Sequence, residues 1–73
     1  MKNRARSYKV NLELGKRVRR LRNKLDLSQE ELAEKAGIHR TYMGKIERGE
    51  SNPPLHTVSK IAKALKVEMS DLF

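Results

Sequence analysis

An all-α fold is predicted by three observations. Apolar residues recur at helical spacing in four separate stretches, and no stretch alternates with period two. Gly37, Gly49 and the pair Pro53-Pro54 punctuate those stretches where helices have to stop. Between Gln29 and Ile46, two short apolar faces stand on either side of Gly37, the first made by Leu32, Ala33 and Ala36 and the second by Met43 and Ile46. Two short helices joined by a tight turn containing glycine make a helix-turn-helix unit. The expected architecture is a compact bundle of four or five short helices containing a helix-turn-helix.

Met1 to Asn11 carries Lys2, Arg4, Arg6 and Lys9 with little apolar content, and is expected to be a flexible basic arm ahead of a domain spanning residues 12–73. Helix one runs from about Leu12 to Leu25, with Leu14, Val18, Leu21 and Leu25 on one face and Lys16, Arg17, Arg19, Arg20 and Lys24 around the others. Ser28 with Glu31 three residues on forms a capping box that starts helix two, which covers Gln29 to Ala36. Ala33 is small where two steeply crossing helices need room, and Gly37 suits the positive φ that ends a helix. Helix three covers about Arg40 to Arg48 and stops at Gly49. Glu50 to Pro54 is a loop, and Pro54 takes an early helix position where its missing N–H costs little. Helix four follows from Leu55 to about Lys66, with Leu55, Val58, Ile61, Ala62 and Leu65 turned inward. Ser70 is expected to cap a fifth helix that has barely begun at Phe73.

The chain has 73 residues and no cysteine, so one domain is expected, held by packing alone without disulfides or thiolate metal sites. His39 and His56 are too far apart for a local metal motif, and no metal or other cofactor is expected. No apolar run approaches the roughly 20 residues of a membrane span, which points to a cytoplasmic protein with no membrane partner. Net charge is +8, and its distribution is lopsided. Residues 1–25 hold ten Lys/Arg against one acid, Glu13, whereas residues 26–73 hold seven Lys/Arg against eight acids. Such asymmetry points to a polyanionic partner. An enzyme is disfavoured, because the chain has no nucleophile–base constellation, no phosphate-cradling glycine loop and little length for a pocket.

With Met43 and Ile46 facing inward at 100° per residue, Thr41, Gly44, Lys45 and Arg48 face outward and Arg40 lies at the edge of the helix start. The usual work of such a helix is to enter a DNA major groove. Arg40 is the foremost base reader, since arginine donates two hydrogen bonds to guanine O6 and N7; its competing role is a phosphate-binding cation. Thr41 can meet a thymine methyl or donate one hydrogen bond, and Lys45 can reach guanine or a phosphate. Gly44 costs about 0.8–1.0 kcal/mol against alanine in mid-helix. It either lets the backbone approach the bases or relieves a clash with a neighbour. Tyr42 either bonds a phosphate through its hydroxyl or shields the core with its ring. His39 stands at the cap position, where it is a poor residue, and is expected to be solvated or to face a phosphate. Gln29 at the start of helix two is a second phosphate anchor, because helix N-termini present free N–H groups, although Glu30 and Glu31 share its turn. Asn52 donates to the DNA backbone or is a turn residue before Pro53. Arg17 and Arg48 complete the expected phosphate contacts.

Leu27–Ile38 (Leu-Ser-Gln-Glu-Glu-Leu-Ala-Glu-Lys-Ala-Gly-Ile), Lys45–Gly49 (Lys-Ile-Glu-Arg-Gly) and Asn52–Leu65 carry a resemblance to a known family. The chain resembles the Xre/Cro-type repressors, which include lambdoid phage repressors and the controller proteins of restriction–modification systems. His-Arg-Thr-Tyr at residues 39–42 looks most like the controller subgroup. The resemblance implies a five-helix domain that binds a two-fold symmetric operator as a homodimer, formed beforehand or only on the DNA. It places base readers at Arg40, Thr41 and Lys45, and it implies an ion pair between Arg22 of helix one and Glu47 of helix three. The departures are His39, where Ser or Thr is common, and Pro54, where serine is frequent.

The expected function is sequence-specific binding of double-stranded DNA to regulate transcription. A non-specific nucleoid-type DNA binder competes with it. So does a membrane-surface or protein-interaction module led by the basic amphipathic stretch Gly15–Leu25, although closing the bundle needs that apolar stripe.

Overall fold

The computed structural model describes the backbone of residues 4–73 and the side chains from residue 8 onward. Four α-helices follow one another, α1 (Arg4–Lys24), α2 (Gln29–Ala36), α3 (Arg40–Glu47) and α4 (Leu55–Leu65), and a 3₁₀ turn at Met69–Leu72 closes the chain. No strand occurs among the described residues, and no described helix is long and apolar enough to cross a membrane.

The helix starts and stops follow from local chemistry. Ser28 Oγ accepts from the Glu31 N–H at 2.9 Å while the Glu31 carboxylate accepts from the Ser28 N–H at 2.8 Å, closing the capping box that begins α2. Gly37 ends α2 in the left-handed region at φ 72°, which lets the Ile38 N–H reach back to the Ala33 carbonyl at 3.0 Å. At the end of α4 the same backbone arrangement forms around Lys66, at φ 62°, with the Val67 N–H bonded to the Ala62 carbonyl. Asp26, at φ 57°, turns the chain out of α1; aspartate is one of the few residues besides glycine that visits this region routinely.

Several boundaries differ from expectation. α1 begins at Arg4, about two turns ahead of Leu12, so residues 4–11 of the expected arm are helical, and residues 1–3 lie outside the described residues. Arg, Ala and Lys are strong helix formers, and neither glycine nor proline interrupts them ahead of Leu12, so a helix anchored at Leu14 and Val18 propagates backward. Leu25 falls in the turn after α1 and is exposed, and Leu55, in the first turn of α4, is 68% exposed while Thr57 is buried there instead. The expected fifth helix is the 3₁₀ turn, preceded by Glu68, whose N–H donates to the Asp71 carboxylate at 2.9 Å; Ser70 lies inside the turn.

The core gathers Leu14 and Val18 from α1, Leu32, Ala33 and Ala36 from α2, Met43 and Ile46 from α3, four residues of α4, and Leu72. α2 packs between α4 and α3, and α1 crosses α3. That crossing is close because Gly15 has no side chain: a Cβ there would lie 2.5 Å from the carbonyl oxygens of both Ile46 and Glu47. The radius of gyration is 11.6 Å and the longest dimension 39 Å. The first value is near the ~11 Å of a well-packed chain of this length, and the second reflects a 21-residue α1 that spans about 31 Å.

Candidate nucleic-acid interface

Glu47 organises the working edge from beneath. Its side chain has no exposed surface, and its two oxygens take the Arg22 fork, from Nε at 2.7 Å and from Nη2 at 3.0 Å. Arg22 also donates through Nη1 to the Leu27 carbonyl at 2.8 Å, pinning the turn between α1 and α2. Gln29 Nε2 reaches Glu47 Oε1 at 3.0 Å, and Arg19 Nε approaches the same oxygen at 3.5 Å. One carboxylate on α3 thus ties α1 and the N-terminus of α2 together. Burial pushes the Glu47 carboxyl up, but hydrogen bonds from Arg22, Gln29 and Arg19, with the Arg22 charge, outweigh it and hold the group below the ordinary carboxylate range. Sequence resemblance pointed to Arg22 and Glu47; the contributions of Arg19 and Gln29 left no local trace in the sequence.

Above this hub the N-terminus of α2 and the outer face of α3 enclose an open cleft of about 280 Å³, lined by Gln29, Arg40, Thr41, Gly44 and Arg48. Gly44 forms part of its floor and is buried rather than outward-facing, because Arg48 Nη1 and Gln29 Oε1 lie over it, 3.1 Å and 3.3 Å from where a Cβ would stand. Both groups are the ends of flexible side chains, so the glycine leaves room for them to lie across the helix. Arg40, Thr41, Lys45 and Arg48 are exposed. Arg40 Nη1 lies 3.7 Å from Glu30 Oε1, and Arg48 makes a two-bond contact with Glu50 at 3.0 and 3.2 Å. Glu31 is turned back onto Ser28 by the capping box, so it does not share the cleft with Gln29.

His39 caps α3, contrary to the expectation of a poor cap. Its Nδ1 accepts from the Thr41 N–H at 3.0 Å, so a ring nitrogen does the work of the usual serine hydroxyl. An accepting Nδ1 leaves the ring proton on Nε2, directed away from the cap as a donor. Tyr42 is half-buried, its ring packed against the core. Asn52 is exposed in the loop, next to buried Pro53. Arg17 sits elsewhere: its Nη1 donates to the Phe73 carbonyl at 2.8 Å, and it lines a second groove of about 400 Å³ with Val10, Glu13, Leu14, Leu72 and Phe73. Five of the expected contact residues therefore share one cleft, and Arg17 belongs to a different surface.

An eight-residue α3 is about 12 Å long. Its exposed side carries cations and a hydroxyl, and its inward side holds Met43, Ile46 and the paired Glu47, which leaves the cationic side free to lie in a groove about 12 Å wide.

Comparison with known proteins agrees with this geometry. Residues 18–72 match the family model described as HTH_3, helix-turn-helix. The chain is 45% identical over 64 residues to the control protein C.BamHI of Bacillus amyloliquefaciens, covering 86% of this chain and 79% of that one. It is 49% identical over 59 residues to the control protein C.SmaI of Serratia marcescens, covering 81% and 70%. Its fold superimposes on the restriction-modification controller protein C.AhdI from Aeromonas hydrophila with a TM-score of 0.85 and 43% identity, covering 86% of this chain and 96% of that one.

Proposed function

Because the chain belongs to the HTH_3 helix-turn-helix family, we propose that it regulates transcription by sequence-specific binding of double-stranded DNA, with α3 in the major groove. The cleft that gathers Gln29, Arg40, Thr41, Gly44 and Arg48 is the observation that carries this reading. In it Arg40 reads guanine through O6 and N7, Thr41 meets the neighbouring base edge, and Lys45 reads or neutralises one turn further along. Gly44 contributes from beneath, by leaving room for Arg48 and Gln29 to lie across α3. Gln29 and the free N–H groups at the start of α2 hold one phosphate, and Arg48, His39 through Nε2, Tyr42 and Asn52 hold others. The basic first helix supplies long-range attraction to the duplex.

The likeness to C.BamHI, C.SmaI and C.AhdI supports a controller of a restriction–modification system, acting on a two-fold symmetric operator as a homodimer. A second copy of this chain suits the groove between α1 and the 3₁₀ turn. Its lining is mainly apolar, with Glu13 and Arg17 one helical turn apart, so a two-fold axis passing between those two residues would set each Glu13 against the other copy's arginine.

Selection of bound sequences from a random duplex library at near-physiological salt tests the reading. The expected product is a symmetric consensus with guanine in each half-site, and Arg40→Ala is expected to lose about 1–3 kcal/mol of discrimination at one base pair per half-site. Salt-sensitive binding without a consensus overturns it in favour of non-specific coating.

A further inference from the structure

Each arginine that borders the cleft already holds a carboxylate. Arg40 meets Glu30 of the first turn of α2 at 3.7 Å, with both side chains largely exposed. Arg48 is gripped through two hydrogen bonds by Glu50, two residues on. Those hydrogen bonds, aided by the charges of Arg48 and Lys45, hold the Glu50 carboxyl below its ordinary range, so it is anionic at neutral pH. Of the three exposed cations on α3 and its C-cap, Lys45 alone has no carboxylate within ion-pair distance among the described residues.

A phosphate competes directly with such a carboxylate. Moving either arginine onto a duplex exchanges one anion for another and leaves the released carboxylate facing the polyanion. On DNA of arbitrary sequence the exchange gains little, since an exposed ion pair and an exposed phosphate contact are of similar strength. On the right sequence it gains more, because guanine offers Arg40 two hydrogen bonds in fixed geometry. We propose that Glu30 and Glu50 are specificity-determining residues, which occupy Arg40 and Arg48 on non-cognate DNA and release them, Arg40 to a base and Arg48 to a phosphate, where the base contacts of a seated α3 compensate both exchanges. This inference rests on the reading of the α2–α3 edge as a DNA-binding face.

The test uses the full chain with Glu30→Gln and Glu50→Gln, singly and together. Glu34→Gln serves as a control that makes the same charge change at an exposed site on the next turn of α2. Binding is measured across a range of salt concentrations to the selected operator and to a scrambled duplex of equal length and composition. Each paired variant is expected to bind the scrambled duplex about two- to five-fold tighter, with operator affinity changed less, so that the specificity ratio falls. The salt slope on the scrambled duplex is expected to steepen by about one for each arginine freed. Glu34→Gln is expected to leave the ratio unchanged. Paired variants that tighten both duplexes equally, or neither, overturn the inference, and so do variants that weaken operator binding, which would make the carboxylates readers in their own right. A wild-type chain that fails to distinguish the two duplexes removes the proposed function and this inference together. All three carboxylates are exposed, and unchanged thermal unfolding separates loss of fold from loss of selectivity.

Discussion

A carboxylate without exposed surface is expensive unless it is paired and hydrogen-bonded, and Glu47 meets that condition at both oxygens, Oε2 through Arg22 and Oε1 through Arg22, Gln29 and Arg19. Removing one partner leaves the charge stranded. Arg22→Ala is expected to cost about 3–5 kcal/mol, read by chemical denaturation, whereas Arg22→Lys retains the charge but loses the two-pronged contact. The pH dependence has a definite sign. Glu47 is held below its ordinary value of 4.5 in the folded chain, so its contribution to stability is complete above that value and is lost as pH falls through the depressed one. In Arg22→Ala burial is opposed only by Gln29 and Arg19, and the acid-unfolding midpoint is expected to move to higher pH. An unmoved midpoint would mean that Arg19 and Gln29 suffice. The sequence made the Arg22–Glu47 pair legible only by resemblance. Nothing in the spacing of residues 19, 22, 29 and 47 reveals that three donor side chains converge on one carboxylate.

Two glycines, one in α1 and one in α3, make opposite demands. Alanine at either position gains about 0.8–1.0 kcal/mol of helix propensity. At Gly15 the added Cβ would lie 2.5 Å from two backbone carbonyl oxygens of α3, and backbone at a helix crossing cannot give way cheaply. Overpacking of about 1–3 kcal/mol then outweighs the propensity gain, so Gly15→Ala is expected to destabilise the bundle. At Gly44 the obstacles are the ends of Arg48 and Gln29, at 3.1 and 3.3 Å, which need shift only a few tenths of an ångström. Gly44→Ala is expected to leave stability nearly unchanged, and an unfolding midpoint measured for both variants checks the contrast. Gly44 was singled out from the sequence because it interrupts an otherwise patterned helix. Gly15 was not, since its reason for being glycine lies on a helix remote in sequence.

Over the chain as a unit, charge and apolar exposure separate. The cleft between α2 and α3 is polar, while the groove of α1 and the 3₁₀ turn carries Val10 and Phe73, both more than half exposed, around buried Leu14 and Leu72. Under the proposed function a second copy of this chain covers this groove. Val10→Asp removes an apolar contact without disturbing the core. It is expected to abolish cooperative occupation of two half-sites in a titration of operator DNA, while binding to a single half-site is retained. Cooperativity that survives would place the dimer contact on another surface.

The helix-turn-helix and its boundaries were set by the sequence alone, because the chemistry that starts and stops helices is local. Ser28 and Glu31 meet within one turn, Gly37 and Gly49 adopt positive φ themselves, and Pro53-Pro54 interrupts the backbone where it stands. Where no such stop exists, as from Arg4 to Asn11, composition alone misjudged the start of α1. Which side chains share a surface was decided by packing, since it depends on partners far apart in the chain. Arg17 is drawn to Phe73, 56 residues away, Leu72 is buried while Leu55 is exposed, and Gln29 is turned toward Glu47. Periodicity assigns a residue to a face of its own helix; only the neighbouring helix determines what that face meets.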